Sequence, residues 1–550
     1  MHKYFSIILL IFSVTFSKAQ LLKEQKFFSR ADTLRGMLSP LRTCYDVKYY
    51  HLNIAVNINE KKISGSTLFR FISQADFKRL QFDLFDNLKI EKIVYKDLEL
   101  SFSREFNAVF LDFPDTLRKG SVNEFTVFYS GAPLIAKNAP WDGGFVFSKD
   151  RNGKPWVSVA CQGIGASLWW PNKDHQSDEP DSMLISVTVP SELMNVSNGT
   201  LRSVDKLNNG NTIYNWFVSY PINNYGVTLN IADYAHFSDS YNGLSGKLPL
   251  NYYVLKENST IARSHFRANV KPMLKSFEQW FGPYPFYRDG YKLIETPYLG
   301  LENQSAIAYG NHYANGYKGS DWSGTGLGLT WDYLIVHESG HEWFGNNITS
   351  KDIADMWIHE SFTTYSEGLF VESKAGKLAG ARYIKGLRKN IINDKPIIGP
   401  YNVNKEGSGD MYFKGANILH TIRHIINDDE KWIRILKGLN TSFGLKTTST
   451  AEIVSYISKS SGKNLSLIFD QYLRHTRIPI LEIKKTGPMS AQYRWKADVK
   501  DFKMPVRIKT RINSTEWKML HATSNWQTLK AGSIIPDTDN FYINVKILPD

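Results

Sequence analysis

The chain has 550 residues, of which 42% are hydrophobic and 22% charged, and a formal net charge of +13. That length exceeds one hydrophobic core and suggests three or four domains of an ordinary globular protein. The basic excess is spread along the chain without an arginine-rich run, which argues against nucleic-acid binding, and two cysteines, Cys44 and Cys161, are too few for a disulfide framework or a cysteine metal site.

The first residues read as an export signal over 1–19. A basic start precedes an apolar run from Tyr4 to Phe16, and Ser17-Lys18-Ala19 offers small residues where a signal peptidase reads. The apolar run is too short for a stable membrane span, and no later stretch is long enough to be one. The expected location is therefore the periplasm or the medium. Residues 20–44 form a leading segment. From 45 to about 235 the pattern is β. In "YHLNIAVNI" Tyr50, Leu52, Ile54, Val56 and Ile58 share one face, and "STLFRFIS", "MLISVTVP" and "NWFVSYP" alternate likewise between Asn/Gly turns. This predicts a large antiparallel β domain.

Residues 236–477 read as a mainly helical α+β domain. An amphipathic helix starts near Ile261 and ends at Gly282, before "PYPF". Further helices are expected over Trp331–Asn346, Ile353–Ser373, Asp410–Ile426, Thr450–Ser460 and Leu465–Arg474, and "YKLIETPYLGLENQSAIAYG" reads as strands. After Pro479 alternation returns, and residues 478–550 suit a small β-sandwich.

Within the helical domain, "LIVHESGHEWFG" (Leu334–Gly345) puts His337 and His341 one helical turn apart. Side chains at i and i+4 share a face, so both imidazoles can point at one ion, while Glu338 can reach a water on it. Core histidines bonded to backbone carbonyls would fit the same spacing. Glu360, eighteen residues after His341 on a helix carrying Ile353, Met356, Trp357 and Phe362, favours the metal, because a buried carboxylate must be paired or coordinated. Asp355 and Glu367 are acids placed to orient such ligands, or else to cap helices.

This spacing, His337-Glu338-x-x-His341 followed by Glu360, resembles the gluzincin signature of the aminopeptidase N family, peptidase family M1. "HEWFGNNITSKDIADMWIHESF", "FGPYPF" (Phe281–Phe286), "LGLENQ" (Leu299–Gln304) and "YFKGANIL" (Tyr412–Leu419) are similar to further family segments, and the likeness runs from about Tyr45 to Arg477. The resemblance implies a thermolysin-like zinc peptidase domain holding one zinc ion per chain on His337, His341 and Glu360. It implies Glu338 as general base, Tyr412 as donor to the developing oxyanion, and Glu302 with Gln162 as partners of a free α-amine. Peptides with a free N-terminus are the implied substrates. Leu299, Leu301 and His359 depart from the family pattern, whereas Gly300 is kept, so the first specificity pocket is where this chain is expected to differ. The long helical C-terminal domain of many relatives is not in this sequence, and a more open site is expected. An endopeptidase, an epoxide hydrolase such as one branch of the family shows, or a binding protein without catalysis remain alternatives on the same residues. The oligomeric state is not legible.

Overall fold

The computed structural model describes residues 28–511 and 513–549; the expected export signal lies outside them. The N-terminal β domain holds three sheets. The largest has eight strands, with Tyr45–Asn57 and Lys62–Ser73 near its middle. Tyr50, Leu52, Ile54 and Val56 are buried as the alternation requires, and Ile58 packs half-buried at the edge of the same core. Pairing is antiparallel except between Tyr45–Asn57 and Ser182–Pro190, which run parallel. That pair needs a long crossover, and the three-stranded sheet and two strands of the four-stranded one lie within it.

The five-stranded sheet of the middle domain has the order Tyr234–Gly243, Gly246–Leu255, Tyr291–Glu295, Ile307–Tyr309, Gly300–Leu301. Its first hairpin was not evident from sequence. The short edge strand pairs Gly300 with Tyr309 and Leu301 with Ala308, so Glu302 emerges directly from the sheet edge. Against this sheet pack the helices Ser259–Phe281 and Tyr333–Gly340, and Trp357–Ala375 packs on those two with Phe413–Ile426 beyond it. Two helices, Lys377–Gly386 and Asp429–Phe443, add to those expected. The C-terminal part forms a four-stranded and a three-stranded sheet, continuous in its core with the helical domain. Tyr542 anchors it, donating its N–H to Thr421 Oγ1 (3.0 Å) and accepting from the Tyr472 hydroxyl (2.6 Å). Among the described residues no helix is long and apolar enough to cross a membrane, and Cys44 and Cys161 are buried free thiols.

The leading segment is held by a buried ion pair. Arg42, fully buried, donates to Asp83 Oδ1 (2.6 Å) and to the carbonyl oxygens of Leu34 (3.1 Å) and Asp174 (3.3 Å). Removing one member of such a pair strands the other charge in the core. Arg42→Leu is therefore expected to destabilise the N-terminal domain by about 3–5 kcal/mol, read as a lowered denaturant midpoint. A midpoint unchanged within error would show that the pair contributes nothing.

Candidate metal centre

The helix Tyr333–Gly340 starts at Asp332, whose carboxylate accepts from the N–H groups of Leu334 and Ile335. It delivers His337 on its inner face, with His341 at its C-terminal cap. The chain then leaves helical geometry at Phe344 and Gly345. Gly345 has φ +132°, and a Cβ there would sit 3.2 Å from His341 Nδ1 and 3.6 Å from the His359 ring. Glycine is thus required for the break that lets the next helix, Trp357–Ala375, bring Glu360 back to the two histidines.

Glu360 Oε2 lies 3.7 Å from His337 Nε2 and 3.5 Å from His341 Nε2. Bonds of about 2.0–2.2 Å to a tetrahedral zinc would place ligand atoms roughly 3.3–3.6 Å apart. Glu360 Oε2 is buried without a hydrogen-bond partner, as expected of an oxygen kept for an ion. The other nitrogens are already committed. His337 Nδ1 donates to Glu367 Oε1 (2.7 Å), whose Oε2 accepts from the Tyr383 hydroxyl (2.7 Å). His341 Nδ1 donates to the Phe344 carbonyl (3.0 Å). Both Nε2 atoms are left to coordinate. Burial works against charge on His337 and His341, yet the surrounding carboxylates raise both. A site that draws protons onto two imidazoles will draw a dication in their place. Two nitrogens and one carboxylate oxygen, with one face open to the cleft, are the donors of a catalytic zinc site.

Asp355 does not touch these ligands. It accepts from the Thr450 hydroxyl (2.6 Å), the Thr450 N–H (3.1 Å) and the Tyr401 hydroxyl (2.7 Å). It therefore fixes the start of the helix Thr450–Ser461 and a neighbouring loop.

A cleft of about 770 Å³ opens on the three donors. Glu338 faces it, its carboxyl raised by burial against the pull of His337 and His341. Gly300 lets the sheet edge approach: a Cβ there would lie 2.5 Å from Leu334 Cδ1 and 3.2 Å from Glu338 Oε1. Tyr412 stacks against His337, with ring centroids 6.0 Å apart. Burial first, then Glu360, hold its hydroxyl well above the ordinary phenol range, so it remains a donor.

Glu302 is buried, with Oε2 3.6 Å from His341 Nε2. Its Oε1 accepts from Gln162 Nε2 (2.9 Å) and from the Tyr225 hydroxyl (3.0 Å), and Gln162 also reaches Glu360 Oε1 (3.3 Å). Tyr225 escaped the sequence reading, since "NNYG" carries no local signal. His359 completes the chain. Its Nε2 accepts from the Ser350 N–H (2.8 Å), leaving Nδ1–H for the Tyr225 oxygen (3.2 Å), and burial keeps the ring neutral, pushed down to about 3. The eight residues to which the family resemblance assigns a role, Gln162, Gly300, Glu302, His337, Glu338, His341, Glu360 and Tyr412, line this one cleft.

Residues 268–472 match the model of the Peptidase family M1 domain. The chain is 22% identical to Probable aminopeptidase 1 of Saccharolobus solfataricus, over 62% of its own length and 44% of that protein. It is also 22% identical to Aminopeptidase 2 of Candida albicans, over 80% and 48%. The chain thus spans about half the length of the curated relatives it matches. In fold it is similar to the M1 zinc metallopeptidase of Deinococcus radiodurans, with a TM-score of 0.64, 20% identity, and coverage of 79% of this chain and 94% of that one. A variant of that enzyme bound to a Tyr-Ser-Ala substrate matches with a TM-score of 0.65, at 20% identity over 79% and 95%.

Loss of the carboxylate behind a ligating histidine typically weakens metal binding 10–100-fold. Glu367→Ala is expected to weaken metal binding by that factor, measured by competition with a chromogenic chelator. Affinity equal to wild type would mean that Glu367 does not orient His337.

Proposed function

We propose that this chain, a member of the aminopeptidase N family (peptidase family M1), is an exported zinc aminopeptidase that releases N-terminal residues from peptides. One observation carries the reading: a buried carboxylate, Glu302, is held by Gln162 and Tyr225 directly beside the three metal donors. An anion there pairs with the α-ammonium of a free N-terminus, and the first peptide bond then falls at the metal. Export is proposed on the basic start, apolar run and small-residue cleavage site of the first nineteen residues.

His337, His341 and Glu360 would hold the zinc. When bound, the ion supplies Lewis acidity toward the scissile carbonyl and lowers the pKa of a water toward about 7. Glu338 accepts the proton of the attacking water and returns it to the leaving amine, a task suited to a carboxyl raised by burial. Tyr412 donates to the carbonyl oxygen as charge grows on it, a bond that strengthens only toward the transition state. Glu302 and Gln162 fix the amine, which sets the register of the cut.

Glu338→Gln keeps the shape of the side chain but cannot take a proton, so it is expected to retain metal and lose nearly all turnover. A variant keeping more than about a tenth of the wild-type rate removes Glu338 from the role of base. Tyr412→Phe is expected to lower kcat by roughly 10²–10³ with KM little changed; a raised KM at constant kcat would assign Tyr412 to binding instead.

The decisive experiment compares aminoacyl amides with free and acetylated amines, on wild type and on Glu302→Ala, with metal content measured alongside. Wild type is expected to cleave only the free amines, and the variant to lose roughly 10²-fold in kcat/KM on them. Equal cleavage of acetylated substrates by wild type would overturn the aminopeptidase reading.

A further inference from the structure

The same cleft carries a carboxylate that the chemistry above does not use. Glu406 lies on the loop that joins the turn Leu387–Asn390 to Gly409–Met411, and it lines the cleft. This wall is pinned from two sides. Gly399 N–H donates to the Ala354 carbonyl (3.0 Å) and Asn402 N–H to Asp352 Oδ2 (3.0 Å), both in the helical domain. Asn404 Nδ2 reaches the Gly163 carbonyl (3.3 Å) in the β domain. Within the loop, Gly407 packs so closely on the Ile397 carbonyl that a Cβ would lie 1.8 Å from its oxygen. The carboxylate is therefore presented on a braced segment.

Its surroundings leave it without a counter-charge. Burial pushes the Glu406 carboxyl up to about 7, Glu360 adds to the rise, and only Lys395 opposes it. Among the described residues no cationic atom lies within 4 Å of it and no hydrogen bond satisfies it. Lys395 lines the same cleft without closing an ion pair, and Lys405 beside it is exposed. Glu406 is half-buried with its oxygens open to the cleft, so an arriving cation meets an unpaired carboxylate that is only partly hydrated, and the charge-assisted pair is worth more there than on the open surface.

The position of Glu406 indicates which part of a substrate brings that cation. Its Oε1 lies 3.4 Å from the Cβ that Gly163 would carry, next to Gln162, which binds Glu302 and Glu360. Glu302 is engaged by the α-ammonium, so the nearby wall receives the side chain of the same N-terminal residue. Resting on the aminopeptidase reading, we infer that Glu406 is a specificity residue that receives the cationic side chain of an N-terminal arginine or lysine. The apolar flank of the cleft, with Leu299, Tyr317 and Trp322, suits the methylene stem of such a side chain.

The test measures kcat/KM for arginyl, lysyl, leucyl and glutamyl amides, and for Leu-Arg and Leu-Leu dipeptides, on wild type and Glu406→Gln. Arginine and lysine are expected at least tenfold above leucine in wild type, and Glu406→Gln should shrink that ratio at least tenfold. A wild-type preference for leucine, an unchanged ratio in the variant, or a basic preference only at the second residue overturns the inference. Calorimetric binding of L-argininamide and L-leucinamide separates this from failure of the aminopeptidase reading. If no amide is cleaved but argininamide binds at least tenfold tighter, and only with Glu406 present, the site assignment stands and the reaction assignment falls. Equal binding of the two amides overturns the site as well. Because wild type alone must show the preference, the inference stays falsifiable even if the variant folds poorly.

Discussion

The organisation of the cleft follows from the cost of burying negative charge. Glu302, Glu338, Glu360 and Glu367 are all buried within one cluster around His337 and His341. Ionised carboxylates withdrawn from water are unfavourable unless each is hydrogen-bonded, paired or bound to a cation. Hydrogen bonds meet part of that demand: Glu367 has His337 and Tyr383, and Glu302 has Gln162 and Tyr225. What they leave unmet is concentrated at Glu360 Oε2 and the two Nε2 atoms facing it. A single dication at that point relieves the whole cluster; the same carboxylates favour positive charge on the two imidazoles. The surrounding packing can be understood as holding this arrangement open for an ion and preventing its collapse into ion pairs.

Two backbone features keep the geometry from relaxing. The non-helical break at Phe344 and Gly345 turns the chain so that two separate helices converge on one point. The short edge strand at Gly300, without a side chain, lets the sheet come within van der Waals contact of Leu334 and Glu338. Each is a place where a larger residue would push a donor away from its partner. Small displacements matter here, since metal coordination and proton transfer both depend on sub-ångström placement.

Much of this was legible because it is local. His337, Glu338 and His341 lie within one turn and a half of helix, and period-3.6 spacing alone puts the histidines on one face. The strands around Tyr50–Val56 announce themselves through alternation. The helix Asp429–Phe443 shows the same kind of signal, with Trp432, Ile435, Leu436 and Leu439 buried at helical spacing, although the sequence reading passed over it. Lys377–Gly386 gave little to read, because only Gly380, Tyr383 and Ile384 are buried along it. Tyr225 and Glu406, and the contact of His359 with Tyr225, were opaque for a different reason. Their roles come from neighbours 77, 134 and more residues away, and no window along the chain contains both members of such a contact. Asp355 shows the converse: proximity in sequence to Glu360 suggested a ligand brace, but its side chain turns to Thr450 on another helix.

The pocket proposed for the amine is built across a seam. Glu302 belongs to the helical domain, while Gln162 and Tyr225, which hold its Oε1, belong to the β domain, and Asn404 ties the opposite wall to Gly163 across the same boundary. The three metal donors, by contrast, all come from one side of it. The seam still touches the metal donors at one point, since Gln162 also reaches Glu360 Oε1, so docking of the two domains bears on both the proposed amine pocket and the ion. By linkage, any ligand that grips Glu302 and Gln162 together must also strengthen the contact between the domains, by the same free energy with which that contact strengthens its own binding.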